Sequence, residues 1–135
     1  MKALSKLMTD TGALLALQID AYAQSRVNTY PSKMLHRIIK EGKSHTGRML
    51  HYFPFENKGD AEDDWCGWHN DHGSLTALTS ALYTDENGDE IKFPLKTGGL
   101  YAKNRFADVA KISIPADMLA FQLGESTQIH TGGYL

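Results

Sequence analysis

The apolar residues of this chain change their period at Gly47, and that change constrains the fold more than any other feature. Before it, Leu4, Leu7, Met8, Leu14, Leu15 and Ile19 recur at helical spacing. Residues 1–25 therefore read as one amphipathic helix with those side chains on its buried face. Pro31 and Ser32 open a second, shorter helix in which Met34, Leu35, Ile38 and Ile39 share a face, and Gly42 is its stop. After Gly47, Met49, His51 and Phe53 alternate with Leu50 and Tyr52, which predicts a strand ended by Pro54. The acidic stretch 56–64 reads as an exposed loop, and 65–73 as a loop entering an alternating strand over 74–83. Asp85–Glu86–Asn87–Gly88 carries the Asn-Gly pair of a tight hairpin. Gly98–Gly99 turns into a strand over 100–102. Lys111–Ile114 and Met118–Leu123 read as strands broken by Pro115, and Gly124 and Thr131–Gly132–Gly133 punctuate the end. Helices come first and short strands follow at barrel-like spacing, which makes an α+β chain. Residues 1–45 are its helical buttress and 46–135 its β part, within one structural domain, since 135 residues is about one domain's worth.

Composition narrows the partners. A net charge of −2 with both signs interspersed gives no electrostatic reason to expect nucleic acid or an anionic membrane. The N-terminus imitates a signal peptide, with Lys2 and Lys6 before the run Gly12–Leu17 and small residues at Ala21–Tyr22–Ala23. Asp10 and Asp20 bracket that run and keep it short, so the helix reading is preferred and a cytoplasmic location is expected. No run is long enough to span a bilayer. The single cysteine, Cys66, excludes an intrachain disulfide and fits a reducing compartment.

The sharpest chemistry lies in His69 and Asp71. Residues two apart on an extended backbone point to the same side, so an imidazole and a carboxylate so placed can share one metal ion. Two histidines and one carboxylate in a facial arrangement suit non-haem iron(II), with open positions for a cosubstrate and oxygen. The spacing alone is weak, because six histidines among many acids produce such pairs by chance. A solvated loop histidine beside an acid is the plainer reading of the pair taken by itself.

The surrounding run WHNDHGSLTAL closely resembles the segment around the first two metal ligands of the isopenicillin N synthase-like group of plant iron(II)- and 2-oxoglutarate-dependent oxygenases. Three more stretches resemble that group in the same order. They are Arg48–Pro54 before the site, Gly98–Gly99–Leu100–Tyr101 with its GGL turn, and Ile114–Glu125, a strand ending in Gly124–Glu125. The resemblance implies a double-stranded β-helix, or jelly roll, with the leading helices packed on it. It implies His69 and Asp71 as iron ligands, and Tyr52 as a contact to 2-oxoglutarate. The family's third ligand is a histidine several residues beyond the segment matching Thr131–Leu135, followed by an Arg-x-Ser for the cosubstrate, and neither lies in residues 1–135. The family's N-terminal part upstream of the helix is also missing. The expectation is thus an incomplete jelly roll whose family oxidises a small organic substrate with iron(II), 2-oxoglutarate and oxygen, and which turns over no 2-oxoglutarate as residues 1–135 alone. A non-catalytic jelly-roll binding module, or an enzyme completed by a partner chain, are the alternatives.

The other candidates receive plainer readings. His130 precedes a Gly-Gly turn and reads as an ordinary loop or strand histidine. His72 points away from Asp71's side and reads as a surface group or one behind the ligands, and His51 as a packed strand histidine. Cys66–x–x–His69 lacks the second pair that a structural zinc site wants, so Cys66 reads as a small buried residue beside Trp65 and Trp68, themselves read as core. The glycine pairs are turns and not phosphate loops, because no helix start follows either.

Overall fold

Two helices pack against each other through the smallest residues available to them. The computed structural model describes residues 2–53, 66–92 and 99–135. Pro54, the acidic stretch 56–64, Trp65 and Gly98 lie outside the described residues. Helix α1 (Lys2–Arg26) and helix α2 (Met34–Glu41, with Gly42 as C-cap) occupy the two spans that periodicity predicts. The buried face of α1 differs from the expected one. Gly12, Ala13, Ala16, Ile19, Asp20 and Ala23 are buried, whereas Leu14 is 65% exposed and Leu7 55%. The reason is steric. A stripe of Gly and Ala at i, i+3 and i+4 lets a second helix approach closely, and Leu35 and Ile39 of α2 fill the space beside Ala13, Ala16 and Ile19. Leu15, Leu75 and Leu135 pack partly buried against that cluster.

Asp20 explains how α2 begins. Lys33 precedes the helix in the left-handed region (φ 53°) and supplies no side-chain cap. The cap comes instead from α1: Leu35 N–H donates to Asp20 Oδ1 at 2.9 Å and His36 N–H to Oδ2 at 2.9 Å. The buried Tyr30 hydroxyl donates to Oδ1 at 2.6 Å. A carboxylate at a helix N-terminus satisfies otherwise orphaned N–H groups and meets the positive end of the helix dipole. Asp10 adds an exposed link, pairing with Lys6 on α1 and with Lys40 on α2 at 3.2 Å.

The β part among the described residues consists of two small sheets. Strands β1 (Leu75–Leu78) and β4 (Ala120–Leu123) pair, and β2 (Leu100–Lys103) pairs antiparallel with β3 (Val109–Ile112), Leu100 opposite Ile112. The fold is mixed α+β, as expected, but no closed double-stranded β-helix is formed among the described residues. Strand β1 stops well short of the predicted 74–83. The predicted strand over 49–53 is absent: that stretch has no regular structure, and Met49, Leu50 and Phe53 are exposed. Alternation marks a half-buried strand only where a neighbour pairs with it. The predicted hairpin turn is present, with Thr84 bridging Glu90, Gly88 at φ 87°, and the Asp85 carboxylate accepting the N–H groups of Asn87 and Asp89.

A third helix, α3 (Glu125–His130), was not anticipated. Thr131–Gly132–Gly133 is its C-terminal cap rather than a turn into a strand. Gly133 N–H reaches Gln128 O at 2.8 Å, Gly132 N–H reaches Ile129 O at 3.1 Å, and Gly132 has φ 66°, the bond pair and left-handed glycine of a Schellman stop. The chain divides into two compact units, Met1–Thr76 with Leu123–Leu135, and Ala77–Gln122. The helices, the loop from Cys66 to Ser74 and the residues discussed below all belong to the first. No helix among the described residues is long and apolar enough to cross a membrane.

Candidate metal centre

The loop before β1 is held by the start of α3, through contacts about fifty residues apart in sequence. Glu125 N–H donates to Asp71 O at 2.7 Å, Ser126 Oγ to His72 O at 2.6 Å, and Thr127 Oγ1 to Ser74 O at 2.7 Å. Gly124 N–H also reaches Ser74 O at 3.0 Å. The segments approach so closely that a Cβ on Gly124 would stand 2.0 Å from Gly73 O and 2.9 Å from Asp71 O. Only glycine fits there. His72 adds a side-chain link, its Nδ1–H donating to Glu125 Oε2 at 2.6 Å. Thr127 is fully buried, and its hydroxyl bond to Ser74 O is partly buried.

On this fixed loop, His69 and Asp71 face each other. His69 Nε2 lies 3.6 Å from Asp71 Oδ1, with the side chains 60% and 26% exposed. That separation is outside hydrogen-bond range. It is short enough for one cation to reach both atoms, since metal–nitrogen and metal–oxygen bonds are about 2.1 Å each. The far atom of each side chain is already engaged. His69 Nδ1 lies 2.8 Å from Gly67 O. A carbonyl only accepts, so Nδ1 carries a proton, and in the neutral ring Nε2 is the atom left with a lone pair. Thr76 Oγ1 donates to Asp71 Oδ2 at 2.6 Å, leaving Oδ1 toward the histidine. An imidazole with its outer N–H on a carbonyl and a hydrogen-bonded carboxylate are the usual settings of metal ligands. The two residues fit an iron-binding pair by donor type and orientation.

The remaining candidates fall elsewhere. No group of three His, Cys, Asp or Glu residues that could hold a metal exists among the described residues. Cys66 is exposed rather than buried, its Sγ 3.8 Å from His69 Nδ1. Trp68 is exposed rather than core. His51 is exposed and stacks on Phe53 with ring centroids 4.5 Å apart. Tyr52 is also exposed. His130 closes α3, where its Nδ1 is buried with no hydrogen-bond partner among the described residues. What sequence reading missed are the partners of the pair, Gly67, Thr76, Gly124 and the hydroxyls of Ser126 and Thr127. Only Gly124 with the hydroxyl pair Ser126–Thr127 signals a segment built for close backbone approach. No protein-family model, no curated protein and no solved structure matches the chain, so the candidate centre stands on its own geometry and on its sequence pattern.

Proposed function

We propose that this chain carries the metal-binding part of a non-haem iron(II), 2-oxoglutarate-dependent oxygenase of the isopenicillin N synthase-like type, acting on a small organic substrate. The observation that supports the reading is the pair itself: His69 Nε2 and Asp71 Oδ1 face each other at 3.6 Å while their outer atoms are tied to Gly67 and Thr76. The proposal includes the fold, with the paired strands forming part of a double-stranded β-helix. Iron(II) with 2-oxoglutarate supplies the oxidising chemistry when bound. The chain's own contribution is to present one neutral imidazole nitrogen and one carboxylate oxygen on a loop that α3 keeps still. In this reading Tyr52 contacts the cosubstrate. The chain works without nucleic acid or a membrane as partner, and in the cytoplasm.

The test is binding of a divalent ion to the protein. Mn(II) titration, followed by the paramagnetic resonance of the free ion, is expected to give one saturable site that His69→Ala and Asp71→Ala each abolish. Equal binding by the wild type and both variants sinks the proposal. A second reading, a non-catalytic binding module on the same scaffold, is favoured by one observation: no third ligand joins His69 and Asp71 among the described residues. Succinate formation from 2-oxoglutarate in the presence of iron and oxygen rules that second reading out.

A further inference from the structure

We infer that Thr76 is a positioning residue that makes Asp71 a one-oxygen metal ligand, an inference that rests on the reading of His69 and Asp71 as a metal-binding pair. A carboxylate free to rotate offers a cation either oxygen, or both at once. Asp71 is held at two points. Its main chain is fixed by Glu125, whose N–H donates to Asp71 O at 2.7 Å. What remains is rotation of the carboxylate, and Thr76 removes it by donating to Oδ2 at 2.6 Å from the start of β1. The bond is partly buried and short, as charge-assisted O–H···O contacts are. A hydroxyl has one proton to give, and here it goes to Oδ2. Oδ1 is thereby the oxygen turned toward His69 Nε2.

The arrangement mirrors that of the histidine. Gly67 O holds Nδ1 and so selects Nε2; Thr76 holds Oδ2 and so selects Oδ1. Each ligand is left one atom by a partner within five residues of it. Such partners orient ligands and typically matter about 10–100-fold in metal affinity. Thr76 touches neither the ion nor a substrate; it acts through Asp71.

Mn(II) titration of the protein with Val, Ala and Ser at position 76 tests this, since Val keeps the shape of Thr without its hydroxyl and Ser keeps the hydroxyl. Thr76→Val is expected to weaken Mn(II) binding about 10–100-fold, while Thr76→Ser retains wild-type affinity and the far-ultraviolet circular dichroism of both matches the wild type. If Thr76→Val fails to fold, Thr76→Ala against Thr76→Ser carries the same comparison. Unchanged affinity in the Val or Ala variant overturns the inference and leaves the metal-binding reading standing. Equal weakening by Ser and by Val or Ala also overturns it, because packing and not the hydroxyl is then responsible. Failure of the wild type to bind Mn(II) more tightly than His69→Ala removes the reading and this inference together.

Discussion

Asp20 and Asp71 are both carboxylates held by hydrogen bonds in the same compact unit, yet they are held to opposite ends. Asp20 is 2% exposed, and both its oxygens accept from the fold: Tyr30 and Leu35 on Oδ1, His36 on Oδ2. Asp71 is partly open, and among the described residues the hydrogen bond to its carboxylate falls on Oδ2, from Thr76. Its other oxygen lies 3.6 Å from His69 Nε2. A buried carboxylate with both oxygens taken up by the fold is a joint between helices. A half-engaged carboxylate facing an imidazole across 3.6 Å is the arrangement on which the proposed metal site rests. The chemistry of the side chain is the same in both places, and what separates them is which atoms the surroundings leave over.

The sharpest way to break this contrast is to remove each carboxylate in turn. Asp20→Ala strips two helix N–H groups and one buried hydroxyl of their acceptor at once. Each buried donor left unpaired costs about 1–3 kcal/mol. The expected loss is about 3–5 kcal/mol in urea unfolding, large against the marginal stability of a small domain. Asp71→Ala frees one threonine hydroxyl that sits near water, and is expected to cost about 1 kcal/mol or less. Similar losses for the two variants contradict the division of roles drawn here.

A smaller effect sharpens the helical side of the comparison. Tyr30→Phe removes one of Asp20's three donors and leaves the two helix N–H groups in place, so it is expected to cost about 1 kcal/mol. Burial, and then the hydrogen bond to Asp20, raise the Tyr30 hydroxyl well above its ordinary value of 10.0. A group that ionises later in the folded than in the unfolded state favours the fold while both keep the proton. Its contribution is therefore complete below about pH 10 and drains away as the pH climbs toward the folded value. Wild-type protein should lose stability steeply in that alkaline window, and Tyr30→Phe should lose it less steeply. Parallel alkaline profiles count against a raised Tyr30, and so against its burial beside Asp20.

These two carboxylates also show why one draws attention in the sequence and the other does not. His69 and Asp71 carry a local signal, since the run WHNDHGSLTAL around them sets a weak spacing in a specific pattern. Asp20 gave no such signal. It marks the end of an apolar run, and its true role depends on Tyr30, Leu35 and His36, which a turn brings back across α1. The helical spans were readable from period, Pro31 and Gly42. The buried face was not, since hydrophobicity favours the leucines while close packing favours Gly12, Ala13 and Ala16. Helix α3 escaped because six residues are too few for a period, and its Gly132–Gly133 stop reads equally well as a turn. The hold that α3 exerts on the Asp71 loop was invisible for the same reason that Asp20 was: its partners lie far away along the chain.

The smallest expected effect concerns a third carboxylate, Asp10, which joins the same two helices from outside. Lys6 and then Lys40 hold its carboxyl below the ordinary value of 3.8. The sign is opposite to that of Tyr30: the contribution is present above about 3.8 and is lost as the pH falls through the folded value. Asp10 is exposed, and exposed ion pairs add little to stability and are screened by salt. The measurement is therefore the titration of Asp10 itself by nuclear magnetic resonance. Lys6→Ala is expected to move its midpoint furthest back toward 3.8, Lys40→Ala less far, and molar salt to move it in the same direction. If Lys40→Ala moves it further than Lys6→Ala, the bridge between helices outweighs the one within α1, and Asp10 becomes a second interhelical joint beside Asp20. If Lys6→Ala dominates, as expected, the pairing of α1 with α2 rests on the buried carboxylate and the small residues around it.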